Sequence, residues 1–432
     1  MKSRRVLISF TTFILFAATS VVSAQSIAIV GATAHTMGPQ GTIENATIVI
    51  ENGRFVSISA GGAVPAGATS VDASGKIVTP GLFTPIGFLG LVEVGFSAGP
   101  LDMLQRGDQF TASFDVADAF NPRSTLIAVN RIEGVTRAII TPSPGFPDEM
   151  GKTGHVLAGL AAMVNLGGGD DSLEQRSVAM MVSLGESGSG YAGGSRAGAV
   201  LMLRSALDEA ASYAVKPGEL EDYNMSLSDL VALQGVLDGE VPLFVDVDRA
   251  SDISVLIDVV TEYGIRAIIV GGTEAWMVAD ELAAADIAIV LAPQDILPGN
   301  FDRLNARRES AAILAGAGVT IAFADGQSRT HNARNITQSA GNAVAYGLSR
   351  DDAMRAITLA PAEIFGVADR VGSIEVGKEA DVVIWPADPL QLTSYPEQVY
   401  IKGNAVEMTS RQTLLRDRYL QTGSDKPPAY RR

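Results

Sequence analysis

Three aspartates follow apolar segments at positions where carboxylates can act together. Asp246 and Asp248 are separated by one residue at the end of the apolar run 243–247, and Asp325 comes just after the run 319–323. Alternate residues of a β-strand point to the same side, so Asp246 and Asp248 can face a common ion. Carboxylate oxygens are the ligands that Mg²⁺ and Ca²⁺ prefer. The three aspartates are therefore candidate ligands of a hard cation.

A structural interpretation of the same aspartates stays open. Asp248 is next to Arg249 and could form an ion pair with it, or it could cap a helix that starts near Ser251. Asp246 would then have no metal to bind.

The chain has three histidines, His35, His155 and His331, and none is spaced from another like a pair of metal ligands. We interpret them as surface or hydrogen-bonding residues. His331 is the weak exception, because it follows Asp325 closely in a loop after a predicted strand. Cysteine is absent, which excludes disulfides and thiolate chemistry. No G-x-S-x-G motif suggests a serine nucleophile.

A G-x-G-x-x-G pattern occupies residues 188–193, before a helical stretch over 196–213. Alone, it would suggest dinucleotide binding at a helix N-terminus. That fingerprint also needs an acidic residue at the end of a second strand about 20 residues later. Asp208 instead falls inside the helical stretch. The pattern is more typical of a barrel loop, with Ser195 as the cap of the following helix and its N-terminus as a weak anion site.

Alternating elements surround these residues. Apolar runs at 243–247, 265–270, 287–291 and 319–323 predict buried strands, and patterns at about 251–263, 274–285, 302–316, 333–347 and 349–365 predict helices. Such alternation indicates βα units around a parallel sheet. Further strands are predicted at 135–140 and 178–184. At 432 residues the chain has room for a (β/α)8 barrel with an appendage.

Both ends of the mature chain have β character. The N-terminal part has short apolar runs and an Asn52-Gly53 turn signal, and the part near the C-terminus has similar runs with a turn at 402–404. We expect the two ends to pair into one small β-sandwich.

The first 24 residues resemble a secretory signal peptide, with Lys2, Arg4 and Arg5 before an apolar run and Ala24 at the expected cleavage site. We predict a periplasmic or secreted protein without a membrane span after cleavage. Loss of the three cations would change the net charge from −16 to −19. An acidic surface of this kind argues against nucleic-acid binding.

Several segments resemble the imidazolonepropionase-like, metal-dependent hydrolase branch of the amidohydrolase superfamily. They are residues 77–91, 242–293, 318–325 and 347–389, the last including Thr358-Leu359-Ala360-Pro361-Ala362 and Gly377-Lys378-Glu379-Ala380-Asp381. The resemblance implies a (β/α)8 barrel with a composite β-sandwich. With the predicted signal peptide over 1–24, we expect a first sandwich part over 25–80, a barrel over 81–366, a second sandwich part over 367–410 and a tail over 411–432.

The resemblance also implies a zinc site of histidines and a strand-eight aspartate. The family's His-x-His pair falls on Ile86 and Phe88, which cannot bind a metal. Asp325 matches the strand-eight aspartate that accepts a proton from water, and Asp246 falls where the strand-five histidine is expected. We therefore take Asp325 and Asp246 as candidate catalytic residues and expect zinc to be absent or weakly bound.

Two functions are consistent with these observations. One is hydrolysis of carbon–nitrogen bonds in small cyclic amides or peptide-like compounds, weak or lost because of the missing ligands. The other is a non-catalytic role, as a ligand-binding protein or as a subunit that pairs with an intact paralogous amidohydrolase or with itself.

Overall fold

The computed structural model of the protein describes residues 26–94, 101–105, 109–144, 154–215, 223–325 and 330–420. The predicted signal peptide lies outside the described residues. Within them, no helix has the length and apolar character needed to cross a membrane. The described chain forms two eight-stranded sheets with helices packed around the second.

The strands, in chain order, are β1 (Ser26–His35), β2 (Thr42–Glu51), β3 (Arg54–Ala60), β4 (Thr69–Asp72), β5 (Ile77–Pro80), β6 (Leu82–Gly87), β7 (Val135–Ile140), β8 (Leu157–Asn165), β9 (Leu173–Ser183), β10 (Leu243–Val247), β11 (Ala267–Gly271), β12 (Ala288–Leu291), β13 (Ile321–Phe323), β14 (Val382–Trp385), β15 (Gln398–Ile401) and β16 (Asn404–Ala405).

The helices are α1 (Thr125–Arg131), α2 (Gly185–Ser189), α3 (Arg196–Val215), α4 (Leu227–Leu237), α5 (Ala250–Tyr263), α6 (Ala279–Ala284), α7 (Ser310–Gly316), α8 (Ile336–Ala345), α9 (Arg350–Arg355), α10 (Leu359–Ile364) and α11 (Arg411–Leu420).

The first sheet is built from both ends of the described chain, as the sequence predicts. Its strand order is β16-β15-β14-β5-β1-β2-β3, with β4 beside β1, and the antiparallel β5–β14 pair joins the two ends. Asn52 and Gly53 connect β2 to β3 with φ values of 50° and 79°. Positive φ at both central residues is the type I′ geometry that suits a two-residue hairpin.

The second sheet is the barrel, with the order β6-β7-β8-β9-β10-β11-β12-β13. The gap between β6 and β13 is bridged by the chain before α10, where the carbonyls of Ala356 and Ile357 accept from the N–H groups of Phe323 and Phe83. These bonds also explain why the single helix predicted over 349–365 is divided into α9 and α10. The barrel class predicted from the sequence is confirmed.

One barrel strand departs from the βα repeat. β8 runs antiparallel to both neighbours, and Asn165 and Ser172 close the turn between β8 and β9 through an N–H to carbonyl bond of 2.8 Å. No strand is predicted there, because the glycine and alanines of this segment are poor strand formers. Every residue of β8 is buried, so burial on both faces of the strand stabilises it in spite of the low intrinsic strand propensity of these residues.

A buried arginine joins the barrel to the first sheet. Arg137 on β7 is 1% exposed and forms ion pairs with Glu174, Glu379 and Asp381. The Asp381 carboxylate also accepts from the backbone N–H of Lys402 at 2.9 Å. Three carboxylates satisfy the donors of one guanidinium, whose fork suits several acceptors at once.

Candidate functional site

The carboxyl ends of the parallel barrel strands bring the predicted aspartates to one mouth. Phe244 on β10 belongs to the apolar cluster inside the barrel. Asp246 and Asp248 follow it at steps of two residues, so they continue the inward-facing row above it. Asp325 follows β13. The sequence thus identifies three acidic residues that the fold collects at the same end.

Asp248 is held by partners on both carboxylate oxygens. Its Oδ1 accepts from the N–H of Thr273 at 3.0 Å and from the Thr273 hydroxyl at 2.7 Å. Its Oδ2 accepts from Nε of Arg303 at 2.7 Å. Gly271 permits this arrangement: its φ is +88°, and a Cβ there would lie 2.7 Å from Asp248 Oδ1. A glycine is therefore required at the end of β11.

Arg303 places a positive charge among the mouth carboxylates. Its Nη1 lies 3.2 Å from Oδ2 of Asp295, while its Nε contacts Asp248. Burial disfavours the charged guanidinium, but attraction to Asp248 and Asp295 outweighs it and raises the pKa of Arg303. The guanidinium is consequently a fixed cation at this end of the barrel.

Asp295 has an unusual environment for a carboxylate. Burial raises its pKa above the ordinary value, and repulsion from Asp248 and Asp325 acts in the same direction, while Arg303 opposes both. A perturbed carboxyl in a barrel mouth is typical of a functional site, although structural ion pairs produce the same effect.

Asp325 is oriented by an amide relay. Gln294 donates through Nε2 to Asp325 Oδ1 at 3.1 Å, and Oε1 of the same amide accepts from the Ser339 hydroxyl at 2.6 Å. A carboxylate only accepts hydrogen bonds, so the amide nitrogen faces the aspartate and the Ser339 hydroxyl donates to the amide oxygen. Asp325 is 6% exposed, so its carboxylate is held in one orientation near the interior.

The two positions of the expected histidine pair belong to different apolar clusters. Ile86 is buried in the cluster inside the barrel. Phe88 lies beyond the end of β6 and packs against the cluster outside the barrel. The register of β6 against β7 is irregular between Thr84 and Gly87, which breaks the strict alternation that the sequence argument assumes.

The remaining predicted residues lie in varied surroundings. His331 is exposed and its Nδ1 is 3.3 Å from the Thr330 hydroxyl, while His35 contacts Thr42 in the first sheet. Among the described residues, no group of three or more His, Cys, Asp or Glu side chains is arranged to hold a metal ion. The ion site on Asp246, Asp248, Asp325 and His331 stays a prediction.

Two structural expectations for these segments are corrected. Arg249 pairs with Asp252 at 2.6 Å and not with Asp248, and no side chain caps α5. The glycine-rich pattern is partly helical, because α2 contains Gly188 and Ser189. The Ser195 hydroxyl does accept from the N–H of Gly198 at 3.4 Å, at the start of α3.

Sequence reasoning missed Arg303 and Asp295. The predicted helix over 302–316 begins only at Ser310, and Arg303 ends a short 3-10 turn instead. Asn300 caps that turn, with its side chain accepting from the N–H of Asp302 at 3.2 Å. The sequence Pro298-Gly299-Asn300 is a turn signal that could have identified an irregular segment after β12.

Comparisons with known proteins agree with this architecture. The sequence profile of the Amidohydrolase family matches residues 255–406. A 74-residue segment is 39% identical to amidohydrolase tasK of Hapsidospora irregularis, covering 17% of this chain and 8% of that protein. A 103-residue segment is 32% identical to imidazolonepropionase of Maricaulis maris (strain MCS10), covering 22% of this chain and 26% of that protein. Both matches span far less than two thirds of those relatives.

The similarity in three dimensions is more extensive. The crystal structure of an amidohydrolase from Thermotoga maritima MSB8 superposes with a TM-score of 0.78 and 25% identity. The superposition covers 88% of this chain and 99% of that chain.

Proposed function

We propose that this chain is a divergent member of the amidohydrolase superfamily, to which it belongs. That membership supports hydrolase activity on carbon–nitrogen bonds. In this proposal its barrel mouth binds a small cyclic amide or a peptide-like compound and has lost metal-dependent hydrolysis. The observation that carries the proposal is the guanidinium of Arg303 between Asp248 and Asp295.

The donors at the mouth do not fit the zinc ion that the superfamily implies. Zinc prefers imidazole and thiolate ligands, with carboxylates as a minority of its ligand set. Ile86 stands at one position of the expected histidine pair, and Phe88 at the other packs against the cluster outside the barrel. Arg303 already pairs with Asp248 and Asp295, and its positive charge would repel a metal ion placed beside it.

The same groups suit an amide ligand. An amide presents an N–H donor and a carbonyl acceptor, which complement carboxylates and a guanidinium respectively. Asp246 and Asp325 supply acceptors at the mouth, Arg303 supplies donors, and buried Ile86 supplies an apolar wall below them. Binding by shape and hydrogen bonds is the usual behaviour of such a pocket.

Calorimetry with two probes tests the binding proposal. Hydantoin and alanyl-alanine should bind the protein after exhaustive dialysis against a chelator, and Asp246→Asn should weaken binding about tenfold by removing an acceptor charge. Asp258→Asn, on the exposed side of α5, is the matched control. Binding that appears only when zinc is added, with stoichiometric zinc retained, would contradict the proposal.

Slow metal-free hydrolysis is the second candidate function, and the held Asp325 carboxylate favours it. A carboxylate at the strand-eight position, hydrogen-bonded by Gln294, is placed to take a proton from water attacking a carbonyl carbon. Product analysis by mass spectrometry during long incubation distinguishes the two functions. Turnover lost in Asp325→Asn, with probe binding retained, would establish the hydrolase.

Export and assembly are further parts of the proposal. The N-terminal residues 1–24 support secretion to the periplasm, and a barrel kept without its metal ligands suits a subunit that works beside an intact paralogous amidohydrolase or a second copy of itself. Affinity purification from the native periplasm should recover such an assembly. Recovery of the isolated chain alone, with its own turnover, would leave the hydrolase as the better description.

A further inference from the structure

A second cleft lies beside the barrel mouth, between helices α3 and α4 and the start of β8. Its volume is about 790 Å³, within the range of small-molecule sites. Tyr191 forms part of its wall and packs closely on Gly154, where an added Cβ would lie 2.6 Å from the ring. The lining residues used below are Thr111, His155, Tyr191, Leu201, Met202, Glu209, Met225 and Asp229.

The cleft carries negative charge without a cationic lining residue. Glu209 and Asp229 line it, and none of the described lining residues is Lys or Arg. His155 adds no charge, because its Nδ1 accepts from the N–H of Leu157 at 3.0 Å and so carries no proton. The described walls therefore favour a positively charged occupant.

Both carboxylates are held in place by neutral donors. Asp229 Oδ1 accepts from the N–H groups of Thr111 and Ser113, at 3.0 and 2.8 Å. Glu209 accepts from the N–H groups of Asn224 and Met225, at 3.0 and 3.2 Å. Neutral donors of this kind orient a carboxylate and leave its net charge uncompensated.

An unpaired hydroxyl is the independent sign of a ligand. Thr111 is 7% exposed, and its Oγ1 is buried without a hydrogen-bond partner among the described residues. A buried polar atom without a partner costs free energy, and native proteins rarely leave one. Thr111 lines this cleft, so a donor group bound at this wall would satisfy the hydroxyl once a small side-chain movement exposes it.

The cleft also has apolar lining residues. Leu201 is 68% exposed on α3, and Met202 and Met225 line the same cleft. A large exposed leucine at the rim of a concave site is an available contact surface, and methionine adapts to varied apolar shapes. We propose that this cleft binds an organic ammonium ion with an apolar body, independently of the function proposed for the barrel mouth.

Three matched probes test the charge and the shape together. Calorimetry on the full chain at pH 7 would use cyclohexylmethylamine, the neutral cyclohexylmethanol and the anionic cyclohexylacetate. The amine should bind at least about tenfold more tightly than the alcohol, and the carboxylate should not bind. Glu209→Gln keeps an acceptor for the Asn224 N–H and should weaken amine binding about tenfold without changing the alcohol.

Two further variants separate the cleft from the rest of the surface. Leu201→Trp fills the rim from an exposed position, so it should block binding of the amine without affecting folding. Thr111→Val should weaken binding of the amine, because it removes the unpaired hydroxyl. Asp258→Asn on α5 is the control. Amine affinity should survive Asp246→Asn, which distinguishes this cleft from the barrel mouth. Equal affinity for the three probes, or amine binding unaffected by both Glu209→Gln and Leu201→Trp, would overturn the proposal.

Discussion

The Nε atom of Arg303 donates to Oδ2 of Asp248 at 2.7 Å, across the end of the barrel where the superfamily pattern leads one to expect a metal ion. The aspartate is 8% exposed and the arginine 29%, so the pair is largely shielded from solvent. Asp295 completes the arrangement from the loop after β12. A side-chain cation thus takes part of the electrostatic role that an ion would have.

Removal of that cation is expected to expose a site for divalent ions. In Arg303→Ala, Asp248 and Asp295 lose their shared partner beside Asp246 and Asp325, and closely placed carboxylates attract hard cations. Equilibrium dialysis with Mn²⁺ should show binding in the variant at roughly 10⁻⁴ to 10⁻³ M, the range of weak carboxylate sites, and much less in the parent.

The control for this change is Arg355→Ala, which removes an exposed ion pair with Glu363 far from the mouth. It should leave Mn²⁺ binding unchanged. Equal Mn²⁺ affinity in the parent protein and Arg303→Ala would mean that the guanidinium does not compete with a cation.

The stability cost of losing Arg303 should depend on pH. Burial raises the pKa of Asp295, and Arg303 is the group that opposes the rise, so this pKa should rise further in Arg303→Ala. At low pH Asp295 is protonated in both proteins and the attraction is absent. As the pH rises through this pKa, the parent gains stability relative to the variant.

Urea unfolding at pH 4, 5.5 and 7 measures this effect. We expect the difference in the free energy of unfolding to increase to about 2–3 kcal/mol at pH 7, as for a largely buried pair left with one partner. A difference that is the same at the three pH values would assign the cost to lost packing rather than to charge.

Much of the fold follows from local pattern. The strands predicted at 243–247 and 135–140 coincide with β10 and β7, because each is a short apolar run bounded by turns. The pairing of the two ends also follows, since both show hairpin signals. β8 does not follow, because its stabilisation comes from burial against both neighbours and not from the residues themselves.

The candidate site follows only in part, for a related reason. Asp246, Asp248 and Asp325 are visible in sequence because they end apolar strands. Arg303 lies in a short turn whose position depends on contacts with residues distant in the chain, such as Asp248. Long-range ion pairs leave no periodic signal, so the partner of Asp248 emerges only from the fold.

The buried arginine between the two sheets should be a principal determinant of stability. Arg137→Met would leave Glu174, Glu379 and Asp381 without their common partner, at a cost of about 3–5 kcal/mol. Arg137→Lys should recover only part, because one ammonium cannot match the fork of a guanidinium. Urea denaturation followed by circular dichroism gives both values.

The matched control is Arg123→Met, which breaks a solvent-exposed pair with Asp170. This change should alter the free energy of unfolding by no more than about 0.5 kcal/mol. A comparable loss in Arg123→Met and Arg137→Met would show that the buried network has no special role.

Restoring the histidine pair should not restore zinc binding. In the double variant Ile86→His with Phe88→His, one imidazole would replace a side chain inside the barrel, while the other would replace one that packs against the outer cluster. Two histidines chelate a metal only when both side chains converge on it. Arg303 would still place a positive charge among the mouth carboxylates.

Plasma emission analysis after dialysis should therefore find far less than one zinc per chain in the double variant and in Ile86→His alone, provided circular dichroism shows that both are folded. A folded double variant with stoichiometric zinc, absent from Ile86→His, would demonstrate that the two positions do converge and that metal chemistry is recoverable at this mouth.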